Sequence, residues 1–362
     1  MATAKRRALD DLRRRSMLAR KHEMLIRDLE QEQQAMPDPD AGLDDEFGDE
    51  LLRLIFTACH PKLSREARAA LALRMICGLT TEEIARAFLQ PEATIAQRIV
   101  RAKRTLSESG LAYETPRGDQ LSERLASVLE VVYLIFNEGY TAARGDEWLR
   151  PQLCNDALRM GRVLTLVAPQ EAEAQGLLAL MELNASRTAA RTDAAGDPIL
   201  LMDQNRMLWD RLQIRRGLSA LARAQELGGG QGFYVLQAAI VACHARASTP
   251  DETEWPRIAK LYGELSGLVR SPIIELNRAV AVGMAEGPAA ALAMVDGLAG
   301  EPALKNYHLL ESVRGDLLFK LARFTEARAA FEIAARLAGN RREHDLLQRR
   351  VVDATRRSEI AR

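Results

Sequence analysis

Seven side chains of one short stretch could make the contacts by which a protein reads a nucleic acid: Thr94, Gln97, Arg98, Val100, Arg101, Lys103 and Arg104, within EATIAQRIVRAKR. Amide and guanidinium groups can bond base edges, and guanidinium and ammonium groups can pair with phosphates. Ile95, Ile99, Ala102 and Leu106 recur at helical spacing, so the stretch predicts a helix with one apolar stripe. The opposite face carries Ala93, Gln97, Val100, Arg101 and Arg104, with Thr94 and Arg98 on one flank and Lys103 on the other. Such a helix suits the DNA major groove, its first turns at base edges and its later cations at phosphates. A charge run alone more often marks a solvated face of a bundle helix, so the elements before it decide.

Those elements form a frame. Thr80 is a good N-cap and Glu83 completes a capping box, with Leu79 and Ile84 placed as a hydrophobic staple. The helix this predicts runs from Thr81 to Phe88 and ends at Leu89-Gln90-Pro91, because Pro91 disfavours helical geometry at Gln90. Pro91 also suits the first turn of the next helix. Capping box, short turn and apolar stripe together predict a helix-turn-helix. Upstream, Glu50 to His60 is expected to be helical, with Leu51, Leu54, Ile55 and Ala58 on one face. Ser64 caps a helix to about Ile76 with Ala67, Leu71 and Met75 inward, and Gly78 ends it.

Composition sets the class. The chain has 362 residues, 47% hydrophobic and 5% aromatic, and so suits two or three mostly helical domains. Fifty Lys and Arg balance fifty Asp and Glu, so net charge argues neither for nor against nucleic acid. The cysteines Cys59, Cys77, Cys154 and Cys243 form no C-x-x-C pair and are expected as free thiols in a reducing cytoplasm, Cys59 packed beside a surface imidazole of His60. No stretch is long and apolar enough to span a membrane, and the N-terminus does not read as a signal peptide.

Along the chain, residues 1–30 read as a basic helix in which Lys5, Arg6 and the arginines after them could add salt-sensitive affinity for DNA phosphates. Residues 31–49 are a linker with prolines, glycines and an acidic cluster. Residues 50–112 hold the helix-turn-helix, 113–120 a joint, and 121–362 helix after helix, with loops at 144–149, 187–204, 228–232, 248–254 and 300–305. Glu138, Asp193 and Asp197 are candidate acid-base groups, but caps and ion pairs at the joint are the expected role of Glu138 and Asp193. The histidines His22, His60, His244, His308 and His344 lack metal-ligand spacing, and no nucleotide or hydrolase fingerprint is present. Trp148, Trp209 and Trp255 are expected to pack between helices. Neither an enzyme, a metal nor a cofactor is expected.

The stretch Leu79 to Lys103 resembles conserved region four of bacterial sigma factors of the extracytoplasmic-function type, through Glu83-Ile84-Ala85, Thr94-Ile95, Arg98 and Arg101-Ala102. The resemblance implies a transcription initiation factor that binds core RNA polymerase and recognises the promoter −35 element with the second helix. It places Gln97, Val100 and Arg101 at base-facing positions, and Thr94, Arg98, Lys103 and Arg104 near phosphates. Thr3 to Arg15 is similar to the tail of sigma region two. Met1 falls inside that region, so most of region two is missing upstream: either the chain is a real truncation or, as expected here, its start is assigned to an internal methionine. Arg314 to Gly339 resembles a tetratricopeptide repeat, with Ala327 and Ala330 letting a helix pair approach and Phe331 filling the gap. Ala291-Leu292 and Leu298-Ala299-Gly300 echo Ala330-Phe331 and Leu337-Ala338-Gly339. With Val131 to Tyr140 and Arg191 to Asp197 between, the whole chain looks like the sigma group with a large C-terminal extension. The expected fold is therefore all-α: a region-four helix-turn-helix, then a tetratricopeptide-like array able to take a protein or peptide partner. The alternative is a helical-repeat interaction scaffold with a vestigial helix-turn-helix.

Overall fold

The computed structural model describes residues 53–360 except 89, 110–115, 117–118, 141–149, 194–195 and 340. The basic helix expected over 1–30, with Lys5 and Arg6, the linker 31–49, His22 and Trp148 lie outside the described residues. The fold is all-α: among the described residues no β-strand forms, and Thr192 and Pro198 make an isolated antiparallel bridge.

Helix α1 covers residues 53–58. It is followed by α2 (Arg65–Met75), α3 (Thr81–Ala87), α4 (Glu92–Glu108) and α5 (Asp119–Tyr140). Next come α6 (Pro151–Val167), α7 (Ala172–Ala185), α8 (Arg211–Glu226), α9 (Phe233–Arg246) and α10 (Trp255–Leu268). The chain ends with α11 (Pro272–Ala285), α12 (Pro288–Gly297), α13 (His308–Lys320), α14 (Phe324–Leu337) and α15 (Arg341–Ile360). Ser64 caps α2 through Ala67 N–H (3.3 Å), and Gly78, with φ +72°, turns the chain toward α3. Two details differ from the periodic reading of this region. Met75 points outward, since the last turn of α2 rotates past the core. His60 is buried, its Nδ1 accepting from Lys62 N–H at 3.1 Å, and burial followed by the charges of Arg124 and Lys62 lowers its pKa to about 4.

One apolar core runs without a break from Ile55 and Phe56 through Leu71 and Leu73, Ile84, Ile95 and Ile99, then Val128, Val132 and Phe136, to Leu177, Leu180 and Ala238. Polar bonds follow the same path. Arg124 Nη2 donates to Phe56 O (2.8 Å), Ser127 Oγ donates to Cys59 O, and Arg68 and Arg65 both pair with Glu130. Cys59 is buried there as a free thiol, which pushes its pKa up to about 12.

Beyond α5 each helix packs on its successor, and α7 also meets α9. Helix α9 is apolar on two sides: Val235, Ala238 and Ala242 face the first core, while Leu236, Ile240 and Cys243 face Ile258 and Leu265 of α10. A further core joins α11 to α15, with Leu276, Ala291, Leu317, Ala327, Ala330, Phe331 and Leu347 inside. The interior places expected for Ala327, Ala330 and Phe331 are thus occupied. The last helix reaches back: Arg342 and Arg349 each bond Asp197 at 3.0 Å.

Two buried positions yield tests. A Cβ on Gly315 of α13 would stand 2.7 Å from the fully buried Phe331 ring of α14. Overpacking of this kind costs about 1–3 kcal/mol, more than the roughly 0.5–1 kcal/mol that alanine gains over glycine in a helix. Gly315→Ala should therefore lower the denaturant midpoint of the full chain, and an unchanged midpoint would mean the ring yields freely. Asp156 of α6 is buried, its Oδ1 3.7 Å from Arg159 and its Oδ2 without a hydrogen bond among the described residues. Burial raises its pKa to about 6, opposed by Arg159 and assisted by the negative charge of Glu83. The folded chain thus holds this proton more tightly than the unfolded chain, whose aspartates titrate near pH 4 (roughly 3.9). The stability this proton confers is full below that value and is lost as pH rises to about 6. Asp156→Asn should raise the melting temperature at pH 7.5, with the gain vanishing toward pH 4. An equal gain at both pH values would sink this account.

Candidate nucleic-acid interface

The frame of the interface is local. Thr80 N–H donates to Glu83 Oε2 (2.7 Å) and Glu83 N–H donates to Thr80 Oγ1 (3.1 Å), a reciprocal capping box at the start of α3. Leu79 and Ile84 are buried beside it, as a staple requires. Arg74 Nη1 also donates to Leu79 O (2.8 Å), tying the end of α2 to this entry. Phe88 N–H bonds Ile84 O and Gln90 N–H bonds Ala85 O, so the chain leaves α3 in a tight turn. Pro91 stands one place earlier than its type suggests: it is extended (φ −58°, ψ 139°) and caps α4, and its carbonyl accepts from Thr94 N–H (2.9 Å) and Ile95 N–H (3.2 Å).

Helix α4 lies with Ile95, Ile99 and Ala102 buried against α2 and α3, and with Leu106 half-buried at the edge. That seam decides which side chains face out. Gln97, Val100, Arg101, Lys103 and Arg104 are exposed, and Thr94 and Arg98 are half-buried on the flank. Val100 is 65% exposed. Among the described residues this aliphatic side chain, open between an amide and two cations, packs into no core, and its shape matches a thymine methyl.

Charge on this face is unevenly committed. Arg104 Nε pairs with Glu108 Oε1 at 2.6 Å, but both side chains are exposed, so the pair is worth less than ~1 kcal/mol and yields readily to a phosphate. Among the described residues no carboxylate pairs with Arg101 or Lys103. The positive charge of Arg98 reaches the start of α2. There the carboxyl of Glu66 is held below its usual range, first by its own backbone amide, then by the Ser64 hydroxyl, then by Arg98 and Arg65.

The candidate acid-base groups have other partners. Glu138 pairs with Arg150 at 2.5 Å, and burial outweighs that pairing to raise its pKa. Asp193 Oδ1 accepts from Asp197 N–H (2.8 Å), closing the 193–197 turn, and Asp197 binds Arg349 and Arg342. Arg191 lies 3.6 Å over the Tyr140 ring and donates to Tyr140 O. These carboxylates brace loops. Among the described residues no group of three or more His, Cys, Asp and Glu could hold a metal ion, and no helix is long and apolar enough to cross a membrane.

Residues that stabilise the interface from behind carried no motif. Arg65, Arg68, Ser127 and Glu130 join α2 to α5, and the only local hint is the spacing of Arg65 and Arg68 on one helix face.

Comparison with known proteins agrees with this geometry. Residues 53–106 match the family model described as sigma-70, region 4, and residues 124–225 match a family of unknown function, DUF6596. An uncharacterized protein of Rhizobium meliloti (strain 1021) is 44% identical over 336 residues, covering 92% of this chain and 78% of that protein. The chain therefore belongs to the family of that Rhizobium protein and carries, in residues 53–106, a sigma-70 region 4 helix-turn-helix with a sigma-factor-like role in transcription.

Proposed function

We propose that this chain is a sigma factor of the extracytoplasmic-function type, acting in the cytoplasm to bring core RNA polymerase to promoters. Helix α4 enters the major groove of the −35 element. Gln97 and Arg101 bond base edges, Val100 covers a thymine methyl, and Thr94, Arg98, Lys103 and Arg104 lie along phosphates. Lys5 and Arg6 add further phosphate contacts. The helices after α5 form a tetratricopeptide-like domain that takes a protein or peptide partner and regulates this activity.

The observation that carries the reading is the outward face of α4: an amide, an open valine and uncommitted cations, held away from the core by Ile95, Ile99 and Ala102. A solvated bundle face would satisfy the charge pattern, but it gives no reason for an exposed Val100 among the cations.

The test begins with duplexes selected by the full chain from a random library. Arg101→Ala should weaken binding to the selected duplex by about 1–3 kcal/mol and relax preference at one base position. Lys103→Ala should weaken all duplexes alike and reduce the salt slope by about 0.9. If Arg101→Ala binds every sequence as the parent does, the reading face is misassigned.

A further inference from the structure

The segment that leads into α8 is turned inside out. Proteins usually put cations outside and large aliphatic side chains inside, so the informative cases are a buried charge and an exposed apolar patch. Both occur here within a few residues. Arg206 is 5% exposed and Trp209 3%, whereas Met207 is 82%, Leu208 53% and Leu212 48% exposed.

The inversion is fixed in place. Arg206 Nη1 donates to His244 O (2.9 Å) and Ala247 O (2.6 Å) at the end of α9, and its Nη2 reaches Thr253 Oγ1 (3.2 Å). Its guanidinium also lies 4.9 Å from the Trp209 ring. Asn205 Oδ1 accepts from Met207 N–H (3.0 Å), and Asp210 N–H bonds Ser186 O (2.8 Å). Asp210 Oδ1 accepts from Leu212 N–H and Gln213 N–H, capping α8. With Arg206 and Trp209 anchored on either side, Met207 and Leu208 cannot turn inward. A segment with its backbone already anchored loses little further freedom on binding, and the exposed methionine adapts to the shape of its pocket.

Charge beside the knob points to the partner. Arg211 and Arg215 stand one turn apart on the exposed side of α8, and among the described residues no carboxylate pairs with either. Asp210 is committed to the helix cap, which leaves Asp203 as the other exposed acid of the segment.

We propose that Met207, Leu208 and Leu212 form a docking knob for a partner protein offering an apolar pocket with carboxylates at its rim. The inference deepens the reading of the extension as an interaction domain and rests on it, while standing apart from the assignment of α4. A membrane surface fits less well, because interfacial binding draws on a long amphipathic stripe rather than a fixed turn of three side chains.

The experiment places a photo-cross-linking amino acid at Met207 of the full chain, in the bacterium that makes it, and maps the adduct. The expected adduct joins one other protein at a peptide where Asp or Glu borders apolar residues. That protein, purified, should bind Leu208→Ser at least tenfold more weakly than the parent. Arg211→Glu with Arg215→Glu should lose a similar factor and most of the salt dependence. Melting temperature and duplex binding should not change in either variant. Loss of duplex binding in Arg101→Ala with partner binding intact separates the two readings. The proposal is overturned by no adduct, by an adduct only to a second copy of this chain, or by a partner indifferent to both variants. Leu208-dependent binding to phosphatidylglycerol vesicles in place of a protein would also overturn it.

Discussion

The carbonyl groups that end an α-helix have no partners within it, and wherever they are buried something else must donate to them. In this chain the end of α1 is served by α5. Arg124 donates to Phe56 O and Ser127 donates to Cys59 O, and Arg68 completes the arrangement by bonding Ser127 and Glu130. An unsatisfied buried carbonyl costs on the order of 1–3 kcal/mol, so the first described helix of the sigma-70 region 4 match depends on a helix that lies beyond that match in the chain. The apolar core states the same dependence in another form, since Phe56 and Leu73 share it with Val128 and Phe136.

That dependence fixes how α4 is held. Helix α4 takes its orientation from α2 and α3, and α2 takes its orientation from α5. The outer face of α4 is thus held, through α2, on the same packed core as α5. Under the proposed function, a partner held close to α5 lies on the same packed core that supports α4 at the −35 element.

How much of this can be read in advance depends on sequence distance. The capping box of Thr80 and Glu83 closes over four residues, and the stripe of Ile95, Ile99 and Ala102 repeats within one helix, so both are visible as pattern and both form. The interior places of Ala327 and Phe331 are legible for the same reason. Bonds between α2 and α5 are not, because Arg65 and Glu130 are 65 positions apart and each alone looks like ordinary surface charge. Pattern also fails where a cation is drawn in and aliphatic side chains are pushed out. Periodicity gives no warning that Arg206 faces the core and Met207 faces water, or that Met75 leaves the core while His60 enters it. In each case the choice is made by a backbone carbonyl, a helix end or a neighbouring ring that only tertiary packing brings near. Among the candidate site residues, the exposed set on α4 follows from the stripe, whereas the half-burial of Arg98 on its flank does not.

The grip of Arg342 and Arg349 on Asp197 has a bearing on how the molecule comes into being. These bonds span 145 and 152 positions, and they join the final helix to a turn made far earlier. A growing polypeptide emerging from the ribosome can finish the seam between α1, α2 and α5 soon after residue 130 is free. Closure at Asp197 has to wait until Arg349 has been made and freed, and contacts of such long range form slowly. Between those moments the half that meets nucleic acid is already shaped while the far end still hangs open. The newborn protein thus passes through an interval in which α1, α2 and α5 are already joined while Asp197 still waits for its two cations.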